Sequence, residues 1–381
     1  MIHTVTVTGY GSGGECLARL DDGRVVFIRN AARGDVLEIT LTHEFARSAR
    51  AEIVRIQEPS PYRVETDCPA YPECGGCDFR HIAYEEELDA KLTRVNDALE
   101  RIGGLPARAD KILRTGQTDG YRNKAVFHFD GTSLGFYRSR SHEVIPISRC
   151  PLLKGDLNKA LCDIINNNYK KNYALSPVST DSPQQPCDIT LRSGRNGLDP
   201  PLEEELDGLV FQISGFFQVN TGAALLLYQK AREYAALSKN ETLIDLYCGV
   251  GTLTLFVGRD AGYALGVELD PDAVNAARDN ARRNNLSHID FLNADAAKWE
   301  AYAPHPDCLI VDPPRKGLSQ GAVRKILKLA PSRIVYISCD PATLARDLRL
   351  FGNYTVMDIC AVDMFPRTAN VECCCLLARD E

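Results

Sequence analysis

A cysteine stands where a buried strand is predicted to end and a helix to begin. The apolar run 334–337 predicts the strand, and Pro341 predicts the first turn of the helix, where its missing N–H costs no hydrogen bond. Open α/β sheets bind ligands at the carboxyl ends of their strands, and the positive end of a helix dipole stabilises a thiolate. Cys339 is therefore a candidate nucleophile, although most unpaired cysteines are only small buried apolar residues.

Three further cysteines lie close together and indicate a metal site. Cys68, Cys74 and Cys77 are separated by five and then two residues, and Gly75-Gly76 leaves their loop free to wrap a metal centre. Cys150, which a proline follows, is the best candidate for a fourth ligand. Four thiolates suit zinc as well as iron. Zinc sites usually show paired short spacings, so this spacing favours a [4Fe-4S] cluster.

Two glycines after a predicted strand indicate a nucleotide-binding loop. Gly249 and Gly251 let the backbone approach a ligand before a helix begins near Thr252, but the third glycine of a dinucleotide fingerprint and the lysine of a P-loop are missing. Glu268 ends the next strand, where a carboxylate holds a ribose diol. This arrangement favours S-adenosylmethionine over a nicotinamide cofactor. Asp295, after the third strand, is placed either to meet the adenine amine or to cap the next helix.

The fourth strand of the same region ends in Asp312-Pro-Pro-Arg315. Methylases that act on exocyclic amines carry an aromatic residue after the two prolines, so that a ring and a carbonyl grip the amine. Arg315 in that place argues against an amine substrate. Another group must then activate the acceptor.

These motifs lie on alternating strands and helices. Strands are predicted over 242–247, 263–268, 289–293, 308–312, 333–339, 355–362 and 372–378, and helices over 223–236 and from about 252, 271, 319 and 341. The alternation predicts a doubly wound, mostly parallel sheet, which is a Rossmann-like α/β domain spanning 211–381.

Two smaller domains are predicted before it. Residues 1–58 predict a small OB-like β-barrel, of a kind that often binds oligonucleotides, with strands over 4–10, 16–20, 25–28, 36–42 and 51–56. Residues 59–210 predict a central α+β domain that carries the four cysteines and a Ser/Pro/Gln-rich loop near 176–186. Its amphipathic helix over 83–104 is a candidate for packing on the catalytic domain. Arg138, Arg140 and His142 are predicted to share one strand face, which favours RNA contact over a solvated face.

Bulk composition limits the class of protein. The chain has 381 residues, 14 cysteines and a formal net charge of −7. Its first residues alternate as in a strand rather than forming a secretory apolar region, and no apolar run has the length of a membrane span, so we expect a cytoplasmic protein. Cysteines in such a protein indicate metal binding or catalysis rather than disulfides. The net charge argues mildly against nucleic-acid binding, but local basic patches decide that point.

Five motifs resemble those of the class I S-adenosylmethionine-dependent RNA uracil-C5 methyltransferases, and the resemblance covers the whole chain. They are Phe217-Gln-Val-Asn220, Asp245-Leu-Tyr-Cys-Gly-Val-Gly251, Asp312-Pro-Pro-Arg315, Ser338-Cys-Asp-Pro-Ala-Thr343 and Val371-Glu372. The barrel resembles a TRAM domain. The barrel and the four cysteines together resemble the iron–sulfur branch that acts on 23S rRNA rather than the branch that acts on tRNA.

The resemblance implies roles for the site residues. Cys339 would add to carbon 6 of uracil, and Glu372 would remove the carbon-5 proton. A solvated strand end is the alternative for Glu372, but its apolar neighbours favour a partly buried carboxylate with a raised pKa. Phe216 or Phe217 would support a flipped base. Contacts to S-adenosylmethionine and uracil are implied for Gln218, Tyr247, Thr252, Glu268, Asp312 and, in one of its two alternatives, Asp295.

The expected partner is RNA, 23S rRNA before other RNAs, and the expected state is a monomer. One rival activity is methylation of the T-loop of tRNA, and another is a non-catalytic RNA-binding iron–sulfur protein. Thr252 and Asn370 stand where related enzymes often carry asparagine and histidine. The cofactor contact of Thr252 and the surroundings of Glu372 therefore stay open.

Overall fold

A computed structural model describes residues 1–166, 187–198, 200–299 and 305–380. The loop predicted near 176–186 lies outside these ranges. Within them, no helix has both the length and the apolar character needed to cross a membrane.

The N-terminal strands curl around an apolar core. They are β1 (Ile2–Thr6), β2 (Gly9–Tyr10), β3 (Cys16–Arg19), β4 (Val25–Ile28), β5 (Val36–Glu44) and β6 (Ser48–Glu58). The strand order is β1-β5-β6-β4-β3-β2, so the two consecutive strands β1 and β2 lie at its opposite ends. The predicted strand 4–10 is thus one bent segment, whose first half pairs with β5 and whose second half pairs with β3. This bend closes the barrel around residues such as Val26, Ile28 and Leu37.

The central region combines one long helix with a small antiparallel sheet. Its elements are α1 (Tyr84–Ala98), a π-helical turn (Leu99–Gly103), β7 (Ile112–Leu113), β8 (Lys124–Phe129), β9 (Leu134–Tyr137), β10 (Val144–Pro146), α2 (Gly155–Ile165), β11 (Cys187–Arg192), β12 (Glu203–Leu206) and β13 (Leu209–Gln212). The strand order of the sheet is β10-β9-β8-β11, and β12 and β13 form a separate hairpin. The predicted helix is present and ends at Gly104, whose positive φ of 60° suits a residue without a side chain.

The prediction that Arg138, Arg140 and His142 share one strand face is wrong. β9 ends at Tyr137, and Arg140 lies in a turn with a φ of 60°. Arg138 forms ion pairs with Glu73 and Glu143, each at 2.7 Å, and Arg140 pairs with Glu15. Carboxylates therefore already neutralise the two arginines that were expected to meet RNA.

The catalytic region is a doubly wound sheet. Its elements are α3 (Thr221–Ala235), β14 (Thr242–Leu246), α4 (Thr252–Gly258), β15 (Tyr263–Glu268), α5 (Pro271–Arg283), β16 (Ile289–Asn293), β17 (Cys308–Val311), α6 (Gln320–Leu329), β18 (Arg333–Ser338), α7 (Pro341–Leu348), β19 (Tyr354–Val362) and β20 (Glu372–Arg379). The strand order is β16-β15-β14-β17-β18-β20-β19-β7. Strands β14 to β18 are parallel, and β20 runs antiparallel between β18 and β19. Successive residues such as Leu243 and Ile244 face separate apolar cores on the two sides of the sheet.

Part of the region before residue 211 also belongs to this sheet. β7 pairs in parallel with β19, so the sheet extends beyond the predicted domain 211–381. Val95 of α1 and Leu99 of the π-helical turn share one apolar core with Leu344 and Leu348 of α7. The long helix therefore packs directly on the helix that follows Cys339.

A buried charge network ties α1 to the segment between β19 and β20. Lys91 Nζ donates to Glu87 Oε1 and to Asp363 Oδ1, both at 2.6 Å, and the three side chains are fully buried. Tyr84 Oη donates to the other oxygen of Asp363 at 2.6 Å. Lys91 also donates to the carbonyl of Phe365 at 3.1 Å. Removing one member of such a network leaves buried charges without a partner.

We expect Lys91→Met to lower the free energy of unfolding by about 3–5 kcal/mol, because Asp363 would stay buried without its cation and Glu87 would keep only the more distant Arg367, at 3.8 Å. Urea denaturation measures the change. The matched control is Arg101→Met. It removes one exposed i,i+4 ion pair, between Arg101 and Asp97, farther along the same region. Its expected cost is below about 0.5 kcal/mol. Equal costs for the two variants would contradict a stabilising role of the network.

Candidate active site

The pairing of β18 with β20 brings the two predicted catalytic residues to one edge of the sheet. Ser338 lies opposite Cys373 in this antiparallel pair. Cys339 directly follows Ser338, and Glu372 directly precedes Cys373, so both lie at the carboxyl end of the parallel strands. This is the edge at which open α/β sheets bind ligands.

The loop after β14 packs closely against α5 and β16. Gly251 has a φ of 80°, and a Cβ there would lie 2.8 Å from the ring of Phe291 and 2.9 Å from Cβ of Ala277. Only glycine fits this position. Glu268 fixes the loop, because its Oε2 accepts from the N–H of Gly249 at 3.0 Å and its Oε1 accepts from the N–H of Leu269 at 2.7 Å.

A pocket opens beside this loop. Its lining residues come from the segment before α3, from α3, from β14 and the loop after it, from the start of α4 and from the residue after β17: Phe216, Phe217, Gln218, Tyr228, Asp245, Tyr247, Cys248, Gly249, Val250, Thr252, Leu253 and Asp312. Four of the predicted contact residues, Gln218, Tyr247, Thr252 and Asp312, thus line one cavity. Phe217 is buried, whereas the side chain of Phe216 is 74% exposed at the pocket.

Two predicted contact residues lie outside this lining. Glu268 accepts a hydrogen bond from the glycine loop but does not line the pocket. Asp295 Oδ1 accepts from the N–H of Ala297 at 2.9 Å within a turn, and no helix begins in the described residues 296–299, so the choice between its two predicted roles stays a prediction. Its charge still lies near enough to contribute to the raised pKa of Tyr247.

Burial dominates the electrostatics of the site. It raises the pKa of Glu372 to about 8, with a further contribution from the charge of Asp312 and an opposing one from Arg315. Burial also raises the pKa of Asp312 to about 7. The pKa of the Cys339 thiol is raised by burial first and by Glu372 next, while Arg315 lowers it. A raised pKa suits a general base, because the carboxylate then holds an abstracted proton near neutral pH.

Two pocket residues with side-chain oxygens, Asp245 and Tyr228, were not predicted as site residues. Asp245 is fully buried. Thr254 Oγ1 donates to one of its oxygens at 2.6 Å, and the other oxygen has no hydrogen-bond partner among the described residues. Burial raises its pKa to about 8. Tyr228 of α3 is buried among Asp312, Asp245 and Glu372, whose charges raise the pKa of its phenol further. The sequence motif that begins at Asp245 could have indicated this residue. Tyr228 has only the helical spacing of a core residue, so nothing in the sequence indicated it.

The four predicted metal ligands gather in one neighbourhood. Burial raises the thiol pKa of Cys74, Cys77 and Cys150, and the charges of neighbouring cysteines of the set, including Cys68, raise it further. Across the part of the chain that the structure describes, no three His, Cys, Asp or Glu side chains are close enough to hold a metal ion. The cysteines are thus within electrostatic reach of one another, but their thiols are not arranged as metal ligands.

Arg122 gives this neighbourhood a positive charge. Its guanidinium lowers the thiol pKa of Cys77 and Cys150, and its hydrogen bonds go to the phenol of Tyr121 and the carbonyl of Gly76. No carboxylate of the described ranges forms an ion pair with it. A half-buried cation without a carboxylate partner suits a site whose ligands become anionic on binding a metal.

We expect Arg315→Gln to slow the modification of Cys339 by iodoacetamide several-fold at about pH 8, because losing the cation raises the thiol pKa and lowers the thiolate fraction. Mass spectrometry of the peptide that contains residue 339 measures the rate. Lys316→Gln is the matched control, since it removes the neighbouring positive charge. An equal effect of both substitutions would show that Arg315 has no specific influence on the thiol.

Comparison with known proteins agrees with this geometry. Residues 210–380 match the family described as tRNA (Uracil-5-)-methyltransferase, and residues 2–54 match the TRAM domain. An uncharacterised RNA methyltransferase of Synechocystis sp. is 33% identical over 443 residues, which cover 98% of this chain and 95% of that protein. A second one, from Bacillus cereus, is 31% identical and covers 94% of this chain and 93% of its own length.

A solved structure shows the same fold along almost the whole chain. It is the tRNA (uracil-54, C5)-methyltransferase of Pyrococcus abyssi in complex with S-adenosyl-L-homocysteine. It aligns with a TM-score of 0.76 over 98% of this chain and 99% of that one, at 22% identity. The predicted TRAM barrel and class I methyltransferase fold are thereby confirmed. From its motifs, its relatives and its fold, the chain belongs to the RNA uracil-C5 methyltransferase family, whose members are S-adenosylmethionine-dependent enzymes.

Proposed function

We propose that this enzyme methylates carbon 5 of a uridine in 23S rRNA, with Cys339 as nucleophile and Glu372 as general base. One observation carries the assignment of the two residues. The register of β18 and β20 places a half-buried thiol and a buried carboxylate of raised pKa together at the ligand-binding edge of the sheet.

The chemistry requires both groups. Carbon 5 of uracil is too weak a nucleophile to take a methyl group directly, so the thiolate of Cys339 first forms a bond to carbon 6. The electrons of the carbon 5–carbon 6 double bond then move toward the carbon-4 carbonyl and form an enolate across carbons 4 and 5. Carbon 5 then attacks the sulfonium methyl group, and S-adenosylhomocysteine leaves. Glu372 takes the proton from carbon 5, the bond to Cys339 breaks, and the carbon 5–carbon 6 double bond is restored.

The residues around the pocket fit S-adenosylmethionine, which supplies the electrophilic methyl group. The glycine loop is open at Gly249, where a Cβ would meet no atom within 4 Å. Asp245, which lines the pocket, has a buried oxygen without a hydrogen-bond partner among the described residues. Gln218, Tyr247, Thr252 and Asp312 would hold the cofactor and the uracil, with Glu268 and Asp295 at the far side of the loop. The exposed ring of Phe216 would stack on a base that has left its helix.

Fewer observations bear on the choice between ribosomal and transfer RNA as the substrate. The enzyme of Pyrococcus abyssi acts on tRNA and aligns over 98% of this chain, so the barrel and the central region do not separate the two substrates. The resemblance of the four cysteines to the 23S rRNA branch favours ribosomal RNA, and T-loop methylation is the second candidate. Incubation with 23S rRNA and tRNA from a strain lacking the enzyme, followed by mapping of 5-methyluridine, decides between them.

We further propose that Cys68, Cys74, Cys77 and Cys150 bind a [4Fe-4S] cluster. The four cysteines lie within electrostatic reach of one another and would supply the thiolate ligands, and Arg122 provides a positive charge beside Cys77 and Cys150. Such a cluster would hold the loop 68–77 and the segment around Cys150 together, a structural or RNA-orienting role.

RNA that carries 5-fluorouridine tests the catalytic assignment. Fluorine at carbon 5 cannot be removed as a proton, so the bond between Cys339 and carbon 6 should persist after methyl transfer. With S-adenosylmethionine, the wild type should form a complex that survives a denaturing gel, and Cys339→Ser should form none. Glu372→Gln should still form it, because the base acts only after addition and methylation. A wild type that is fully metallated yet forms no complex would contradict the proposal.

Anaerobic purification tests the cluster. We expect a brown protein with about four irons per chain, and we expect Cys77→Ser to lose most of the iron. Cys162→Ser is the matched control, since Cys162 is an exposed cysteine outside the set. Bound zinc without visible absorption would contradict the cluster while leaving the methyltransferase assignment intact.

A further inference from the structure

One arginine of α1 contacts both loops that carry the catalytic residues. Arg94 Nη1 donates to the carbonyl oxygen of Ala369 at 2.7 Å, and its Nη2 donates to Asp340 Oδ2 at 3.1 Å. Asp340 directly follows Cys339, and Ala369 lies three positions before Glu372. The guanidinium, whose side chain is only 17% exposed, therefore bridges the nucleophile loop and the base loop beyond the end of the sheet.

Asp340 transmits this contact to the nucleophile. Its second carboxylate oxygen accepts from the N–H of Thr343 at 2.8 Å and thereby caps α7. Ser338 Oγ closes the same turn, because it donates to the carbonyl of Asp340 at 3.0 Å and accepts from its N–H at 3.2 Å. Cys339 thus lies inside a short turn whose outer face is held by Arg94.

Ala369, in the loop that leads to Glu372, is also fixed by hydrogen bonds. Its N–H donates to Asp78 Oδ2 at 3.0 Å, so both polar groups of this residue are hydrogen-bonded to side chains of the central region. The neighbouring carbonyl of Arg367 accepts from the N–H groups of Asp78 at 2.9 Å and Phe79 at 3.1 Å. The chain then runs through Val371, which is fully buried, into Glu372.

We propose that Arg94 is a positioning residue that sets the separation between the Cys339 thiol and the Glu372 carboxylate. The proposal rests on the roles assigned to those two residues above. The planar guanidinium suits this task, because its two nitrogens project in a fixed fork toward two acceptors. The thiol must reach carbon 6 and the carboxylate must reach the carbon-5 proton of one ring, and such reactions are sensitive to errors of about 1 Å.

Arg94→Gln should lower the single-turnover rate of methyl transfer by about tenfold or more, and should change the KM for S-adenosylmethionine and for RNA by less than about twofold. Arg94→Lys should give an intermediate rate, since an ammonium group can satisfy one acceptor well but not both. Arg101→Gln, in the adjoining π-helical turn, is the matched control and should behave as the wild type.

Hydrogen exchange gives a second measurement that needs no activity. In Arg94→Gln, the amides of segments 339–344 and 367–371 should exchange faster, while those of the barrel should not change. A wild-type methylation rate in Arg94→Gln would overturn the proposal. So would faster exchange throughout the chain with equal rate losses in Arg94→Gln and Arg94→Lys, because that result describes a general loss of stability.

The two proposals fail separately. If the wild type methylates no RNA, the proposed function is wrong, and the hydrogen-exchange comparison alone then decides whether Arg94 holds the two loops. If the wild type is active, the rates of Arg94→Gln and Arg94→Lys test the positioning role directly.

Discussion

The antiparallel insertion of β20 between β18 and β19 is the constraint on which the site depends. In a sheet of parallel strands only, every strand would deliver its carboxyl end to the ligand-binding edge. A single reversed strand delivers its amino end there instead. Glu372 begins that reversed strand and Cys339 follows its parallel neighbour. Two residues 33 positions apart in the numbering therefore become neighbours through hydrogen-bond register alone.

The loops beyond this edge need support from outside the sheet, and α1 provides it. Lys91 neutralises Glu87 and Asp363 in a fully buried network at the start of the segment that leads to Glu372. Arg94 lies about one turn later on the same helix. It contacts Ala369, close to the end of that segment that adjoins Glu372, and Asp340 in the turn after Cys339. The helix also follows the cysteine loop, whose next residue, Asp78, contacts Ala369. The cysteines are thus distant from the chemistry in sequence, but the adjacent Asp78 and Phe79 link their loop to the base loop by hydrogen bonds.

Local patterns were sufficient to predict the elements of the catalytic sheet and the residues at strand ends. Apolar runs and helix-starting prolines placed Cys339, Glu268 and Asp312 at the correct edge, because strand ends depend mainly on nearby sequence. The pairing of Arg138 with Glu73 and Glu143 was missed, since such partners are brought together only by the tertiary fold. The same reason explains why β7, a strand of two residues, and the pocket position of Tyr228 were not foreseen.

The most direct test of this account is the release of tritium from RNA that carries uridine labelled at carbon 5. The wild type should release one tritium for each methyl group transferred. Glu372→Gln should transfer the methyl group once and remain bonded to the RNA without releasing tritium, because addition by Cys339 precedes proton removal. Tritium release by Glu372→Gln at the wild-type rate would contradict the assignment of Glu372 as the base.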